Sequence, residues 1–539
     1  MSKVNIADFK EGWTSIRCGK WEIQYISAGC LSIPNIEKIF SKNIDVNFIE
    51  KWLKSIPYFF SIIAESETQI IAAVDRIRAF PVFYSANNSK KLVSNSARKL
   101  QDLLGLYKED KKSVLEFTMA GYVSGNRTMF KGIFQIIPGQ CLFINKKENS
   151  IQLKRYYLFF SKIHTYKSKS ELIKKLNSIH DSLIKGIIDR ASGRPIWVPL
   201  SGGWDSRLIV SKLAQFKCPN VQTFSYGAAN DYESKLAKKV SSCLGLPWFK
   251  VDISRKQFKD YFWSIDRKKY FEFSDGLSTL PFVQDSHVIG WLLDTGRMPK
   301  DAILVNGQSG DFITGGHMRP EHFEESISRE QLIDFLLNTH YSMWRELHKE
   351  QNISVIRKRI SEVIDNFHVD MGVDGYMAAC WEWQERQCKF VVNGQKAYEF
   401  YKLDWEMPLW MPEYMDFWKK IPWKYLEDQN LYKECLRING FRDVFNKIST
   451  EVWRWPGASI LVVPIARLVG LFFGRNKKNR VYEIAKLFGH YRYSYGAYPI
   501  FKCLIASNSI RDVDSLHILT WLQENMPSSA IDYFNKKYD

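Results

Sequence analysis

The chain has no CxxC pair and no histidine cluster at metal-ligand spacing, which excludes a structural zinc module. Its nine cysteines, at 18, 30, 141, 218, 243, 380, 388, 435 and 503, are odd in number and unpatterned. They read as reduced thiols and not as a disulfide framework. No apolar run reaches the ~18 residues that a bilayer crossing needs, and the opening MSKVNIADFKEGW lacks the apolar stretch of a secretory signal. A cytoplasmic location is expected. There is no RGG tract and no RNP-like aromatic motif, so nucleic acid is not the expected partner. Fixed-period repeats and low-complexity tracts are also missing, which excludes a solenoid.

The 539 residues are 45% hydrophobic, too apolar for a mainly disordered chain. A single core rarely grows past ~250–300 residues, so two or more domains are expected. The 76 Lys and Arg against 58 Asp and Glu leave a net charge of +18. That excess favours anionic partners: phosphorylated compounds, acidic glycans or a membrane face.

From Trp21 to Ile144 the chain shows short β-prone runs between polar turns: WEIQYI, FFSIIAES, QIIAAVD, PVFYS, KLVSNS and QCLFI. This predicts an antiparallel sheet built from meanders, with QLKRYYLFF as one more strand. Over 168–188 the period changes, and Leu172, Ile173, Leu176, Ile179, Leu183 and Ile187 share one helical face. PIWVPL (195–200), VQTFSY (221–226), WFKVDI (248–253) and AILVN (302–306) follow, the first three separated by helical spacing. Strands joined through helices predict a buried parallel sheet, and the fold class is α/β. Residues 320–539 read mostly as helices. The expected domains are 1–160, 161–440 and a helical extension, 441–539.

Ala458 to Phe473, ASILVVPIARLVGLFF, is apolar except for Ser459 and Arg467, and GRNKKNR follows it. It is too short to span a membrane, and on length alone a buried helix interrupted at Pro464 is expected. The alternative is a peripheral membrane contact through 458–480, with the basic tail on anionic headgroups.

The most informative segment is WVPLSGGWDS, Trp197 to Ser206. A buried strand ends at Leu200, two glycines permit a tight turn, and a helix begins at Asp205 and Ser206. Hydroxyls and free N–H groups at a helix start make an anion site. The Asp205 carboxylate repels bare phosphate and makes sense only beside a divalent cation. The lysine of GxxxxGK[ST] is missing, so this is not a Walker loop.

SGGWDS resembles the SGGxDS pyrophosphate loop of the ATP pyrophosphatases, in the asparagine synthetase branch. TFSYG (223–227), Asp231-Tyr232-Glu233-Ser234, NGQSGDFITGGH (306–317), ERQCKF (385–390) and YEFYKLDWEMPLWMPEYMDFW (398–418) resemble further family segments in the family's order. The resemblance implies a PP-loop synthetase domain that binds ATP. Leu200, Ser201, Gly202, Gly203, Asp205 and Ser206 would hold pyrophosphate, with Gly307 in the second loop, and Ser225, Tyr226 and Gly227 the nucleoside. Asp205 and Asp311 would share Mg2+, and Lys433 would neutralise the departing pyrophosphate. It also implies two-step amide formation: a carboxylate attacks the α-phosphorus of ATP, and an amine then displaces AMP.

In front of this domain, AAVDRIRAFPVFYS (72–85) and AGYVSGNRTMFKGIFQIIPGQCLF (120–143) resemble the Ntn-like glutaminase domain of the same synthetases. That reaction needs cysteine as residue 2, and this chain has Ser2. A retained scaffold without ammonia production is expected, so glutamine is not the expected donor. Gln308 stands where the family places a catalytic glutamate or, in the β-lactam-forming members, a tyrosine. Glutamine cannot take a proton at neutral pH, so a base is sought in Glu382, Glu385 or the substrate. Phe312 replaces a usual acid and makes the acceptor side less polar. The expectation is an AMP-forming amide ligase joining a small-molecule or glycan carboxylate to an amine, with an acidic sugar of a surface polysaccharide favoured. Asparagine synthesis and lasso-type peptide cyclisation are the alternatives. The oligomeric state is left open.

Overall fold

The computed structural model describes residues 12–41, 46–86, 91–159, 168–227, 231–318, 327–367, 375–449, 462–474, 481, 496–506 and 509–526. Two sheets organise the front of the chain. The strands β1 (Thr14–Cys18), β2 (Trp21–Ser27), β3 (Phe60–Glu65), β4 (Gln69–Val74), β5 (Phe83–Ser85), β6 (Val93–Ser94), β7 (Ile133–Gln135), β8 (Gln140–Asn145) and β9 (Ser150–Arg155) pair antiparallel throughout. The larger sheet runs β1-β2-β3-β4-β8-β9, and β6-β5-β7 forms the smaller.

Alternation along a strand sends neighbouring side chains to opposite faces. Ile62 and Ala64 of β3 therefore join the main core, while Ile63 packs with Val82, Tyr84 and Val93 of the small sheet and its approach. Both faces of the central strands are covered, which is why FSIIAE is buried at all but its last residue. Asp75, beyond β4, accepts from the amides of Phe60 and Ile77 and pins the turn. Arg78 there has φ 56, a left-handed backbone that glycine adopts more readily.

Helix Lys169–Ala191 starts from a capping box, Ser168 with Glu171, and buries all six residues of its predicted face. It leads into β10 (Ile196–Pro199), β11 (Val221–Gly227), β12 (Trp248–Asp252), β13 (Ile303–Val305) and β14 (Asp404–Glu406), which pair parallel in the order β12-β11-β10-β13-β14. The sequence reading contained the first four of these; β14 is an addition. The chain first builds outward from β10 through β11 to β12, then returns to lay β13 on the other side of β10. That reversal is a topological switch point, the place where open α/β sheets bind their ligands, and the loops after β10 and β13 both emerge there.

The front sheets and the parallel sheet meet along a charged seam. Arg76 reaches Asp416 at 2.7 Å and its carbonyl accepts from the Trp383 indole at 3.1 Å. Among the described residues no helix is long and apolar enough to cross a membrane. Residues 462–474 are helical through Pro464. The buried helix expected there is not what forms: Leu471, Phe472 and Phe473 are 81%, 77% and 72% exposed.

Candidate active site

The loop after β10 is built by steric and hydrogen-bonding necessity. Gly202 has φ 82, and a Cβ there would lie 2.8 Å from the Leu236 side chain. The Ser201 and Ser206 hydroxyls are 3.2 Å apart, and the Ser201 and Gly203 amides turn inward onto them at 3.3 Å. Helix Trp204–Gln215 starts at Gly203 without a side-chain cap, so its first amides remain available to an anion. The Arg207 guanidinium donates to the Gly202 carbonyl at 2.6 Å and braces the turn from behind.

The loop after β13 closes on this one. A Cβ on Gly307 would lie 2.8 Å from the Asp205 backbone carbon, and one on Gly310 would lie 2.4 Å from the Asp205 carboxyl carbon. Only glycine lets the two loops approach so closely. As a result the Asp311 amide donates to Asp205 Oδ2 at 3.1 Å, and Tyr432 OH donates to Asp205 Oδ1 at 2.7 Å. Burial, and after it the Asp311 charge, pushes Asp205 up to about 7.

His317 bridges the second aspartate to the helical layer. Its Nε2 lies 3.1 Å from Asp311 Oδ2 and its Nδ1 lies 2.6 Å from Glu382 Oε1. Burial works against the imidazolium, yet the two carboxylates lift His317 to about 10. Burial would likewise raise both acids, but the His317 hydrogen bonds outweigh it. Asp311 is held below the usual carboxylate range and Glu382 falls to about 2. The trio is thus a cation held between two anions.

Behind this trio lies a network of amides and phenols that ends on the carboxyl of Asp285. Gln308 Oε1 accepts from Gln395 at 2.8 Å, and Asn306 Nδ2 donates to Gln395 Oε1 and Tyr398 OH at 3.3 Å. Tyr398 donates to Asp285 at 2.7 Å, and Tyr226 also donates to Asp285. The position expected to carry an acid or a tyrosine is therefore an amide locked among amides and phenols.

The predicted residues divide clearly. Leu200, Ser201, Gly202, Gly203, Asp205, Ser206, Gly307 and Asp311 come together in the crevice. At the end of β11, Gly227 has φ 142. Ser225 is there too, but its hydroxyl is committed to the Leu200 carbonyl at 2.6 Å and to the Trp248 indole at 3.0 Å. Lys433 is not brought to the aspartates. Tyr432 takes that place, and Lys433 lines a surface depression with Glu427, Asp428 and Glu434.

Glu382 and Glu385 are separated by the start of a π-helical stretch, Trp383–Val391, a wider winding that is frequent at functional sites. Glu382 turns to His317. Glu385 turns to the front domain, where it is fully buried, 2.6 Å from Lys389 Nζ, and accepts from the Gly125 amide. Phe312 is also buried, stacked on Trp410 beside Phe159, so it is core and does not line the acceptor side. Glu406, the acid of the E-x-P turn, pairs with Arg190 at 2.6 Å. Ser2 lies outside the described residues, and Cys18 is buried with its thiol on the Glu37 carbonyl.

Sequence reasoning missed His317, Asp285, Gln395, Tyr398 and Tyr432 as site-forming groups. Only His317 carried a local signal, closing the Gly-rich segment after Asp311.

Two carboxylates on converging loops are a donor set that fits Mg2+, which keeps water and phosphate oxygens as its other ligands. Among the described residues no group of three or more His, Cys, Asp or Glu could hold a metal through protein donors alone.

Residues 187–437 match the asparagine synthase family model. No curated protein sequence matches the chain. Among solved structures it is similar to the NH3-dependent NAD synthetase of Campylobacter jejuni subsp. jejuni NCTC 11168, at 12% identity, over 38% of this chain and 99% of that one, with a TM-score of 0.21. It is also similar to the glutamine phosphoribosylpyrophosphate amidotransferase of B. subtilis, at 10% identity over 56% and 59% of the two chains, TM-score 0.18. A third is the allosteric regulatory enzyme of purine biosynthesis, at 11% identity over 56% and 58%, TM-score 0.18. Likenesses at these scores carry no argument about activity. The family match does, for the part it covers: residues 187–437 form an asparagine synthase-like domain, an ATP-dependent, amide-forming ligase module.

Proposed function

We propose that the protein adenylates a carboxylate with ATP, releasing pyrophosphate, and transfers the acyl group to an amine with release of AMP. The acidic sugar of a surface polysaccharide is the favoured carboxylate. The observation that carries this reading is the 3.1 Å bond by which the second loop docks on Asp205 beside the uncapped helix start. Ser201, Ser206 and the amides after Gly203 bind the β- and γ-phosphates. Mg2+, held by Asp205 and Asp311, would neutralise phosphate charge. The His317 cation, shared between Asp311 and Glu382, cancels one of their two negative charges and so lowers the repulsion that an anionic nucleotide meets.

Neither glutamate supplies a free base. Glu385 is consumed by Lys389, and a carboxylate at about 2 binds a proton too weakly to take one from an amine. The phosphate of the departing AMP is the remaining acceptor: as the C–N bond forms and the acyl C–O bond breaks, its oxygen becomes a monoester able to take the amine proton. An acidic sugar suits the +18 charge, and the amide network at Gln308 offers donors and acceptors where the family's aspartate chemistry uses an acid. The amide at Gln308 argues against aspartate and ammonia as the pair.

The test is ATP–pyrophosphate exchange with uronic acids, aspartate and peptides offered in turn, followed by product mass with amines. Exchange with a uronic acid and a mass matching the uronamide are expected. Exchange with aspartate alone would replace the sugar reading by asparagine synthesis, and absence of exchange with every acid would remove adenylation.

A further inference from the structure

Thirteen large hydrophobic residues are exposed among the described residues, and five of them, Ile465, Leu468, Leu471, Phe472 and Phe473, fall within one helix, 462–474. They include the three most exposed of these thirteen. Single exposed apolar residues are ordinary, but a contiguous set marks a surface that meets something. Ile465, Leu468 and Phe472 are spaced by three and four residues, so they share one face, with Leu471 and Phe473 flanking it.

The helix is about 20 Å long at 1.5 Å per residue, against a hydrocarbon core of about 30 Å, so it cannot span. Its only charged residue is Arg467, which is exposed. The next six residues of the sequence carry Arg475, Lys477, Lys478 and Arg480 and no acid. A partner protein matched to Leu471, Phe472 and Phe473 alone would leave that cation run unexplained. A bilayer with anionic headgroups accommodates both, apolar side chains entering the acyl boundary and cations remaining at the phosphate level.

We infer that helix 462–474 is a monotopic anchor that lies in the interface of an anionic lipid bilayer. The inference stands apart from the amide-ligase reading and needs neither ATP nor an acceptor. It is tested by co-sedimentation of the full chain with vesicles of phosphatidylcholine, alone or with about one-third phosphatidylglycerol. Binding at least about tenfold stronger to the anionic vesicles at low salt is expected. The triple variant Leu471→Glu/Phe472→Glu/Phe473→Glu should lose about tenfold or more of that binding with its thermal midpoint unchanged. The variant Arg475→Gln/Lys477→Gln/Lys478→Gln/Arg480→Gln should fall to the phosphatidylcholine level and lose its salt dependence. No binding of the unaltered protein to either vesicle would overturn the inference. So would binding that survives the triple substitution, or a dimer in solution that the triple variant dissociates, since the face would then belong to a second copy.

Discussion

Asp311 donates its backbone amide to the carboxylate of Asp205 at 3.1 Å, across 106 residues of sequence. The two acids are thereby fixed side by side, and Asp205 is raised to about 7 by burial and by its neighbour's charge.

A carboxyl whose folded pKa lies above its unfolded value takes up a proton on folding, so its ionisation costs stability as pH rises from about 4 to about 7. Asp205→Asn removes that cost. Without metal at pH 8 the variant is expected to unfold at a higher temperature than the unaltered protein, and the difference should vanish near pH 4. Stabilisation by Mg2+ and ATP together should be lost. Thermal unfolding across that pH range, with and without nucleotide, checks both.

His317 is shifted the other way. Its folded pKa of about 10 lies above the ordinary 6.5, so its contribution is fully present below pH 6.5 and is lost as pH rises towards 10. His317→Gln should cost about 1–3 kcal/mol at pH 6, for hydrogen bonds to charged groups. The cost should shrink by pH 10. Denaturant unfolding at the two pH values is the measurement.

Tyr432 and Lys433 are adjacent in sequence and differ in what they touch. Tyr432→Phe removes a donor to Asp205 and should weaken nucleotide binding about tenfold, the order of one hydrogen bond to a charged group. Lys433→Ala should change it less than about twofold. Titration of ATP with Mg2+ ranks the pair, and the reverse order would restore Lys433 as the phosphate-facing cation.

The Glu385–Lys389 pair is wholly buried at the seam, with Lys389 also donating to the Val123 and Gly125 carbonyls. Lys389→Met alone strands a buried carboxylate and should cost about 3–5 kcal/mol. Adding Glu385→Leu should recover much of that loss, because the carboxylate stranded by the first substitution is then removed. Equilibrium unfolding of the single and double variants checks the sign of the coupling.

Periodicity alone revealed much of the fold. The β-prone runs WEIQYI and FFSIIAES, the helical face from Leu172 to Ile187 and the four apolar runs from Pro195 to Asn306 are local patterns, and local patterns report local structure. β14 escaped because Asp404–Glu406 is three residues long and carries two acids, one of which is buried only because Arg190 meets it. Phe312 was misplaced for a similar reason: a phenylalanine in a Gly-rich loop gives no sign of whether an aromatic neighbour will cover it.

What the residues fixed by themselves was the chemistry on offer: an anion-holding turn after a strand, a second Gly-rich turn with an acid, and a serine where a glutaminase needs its cysteine. Which acids meet, which lysine is spent and which histidine becomes a cation were settled only by folding. Those outcomes depend on the strand order that brings β13 beside β10 and on the burial that raises or lowers each proton's hold. Both are sums over contacts between segments distant in sequence, so no window of residues contains them.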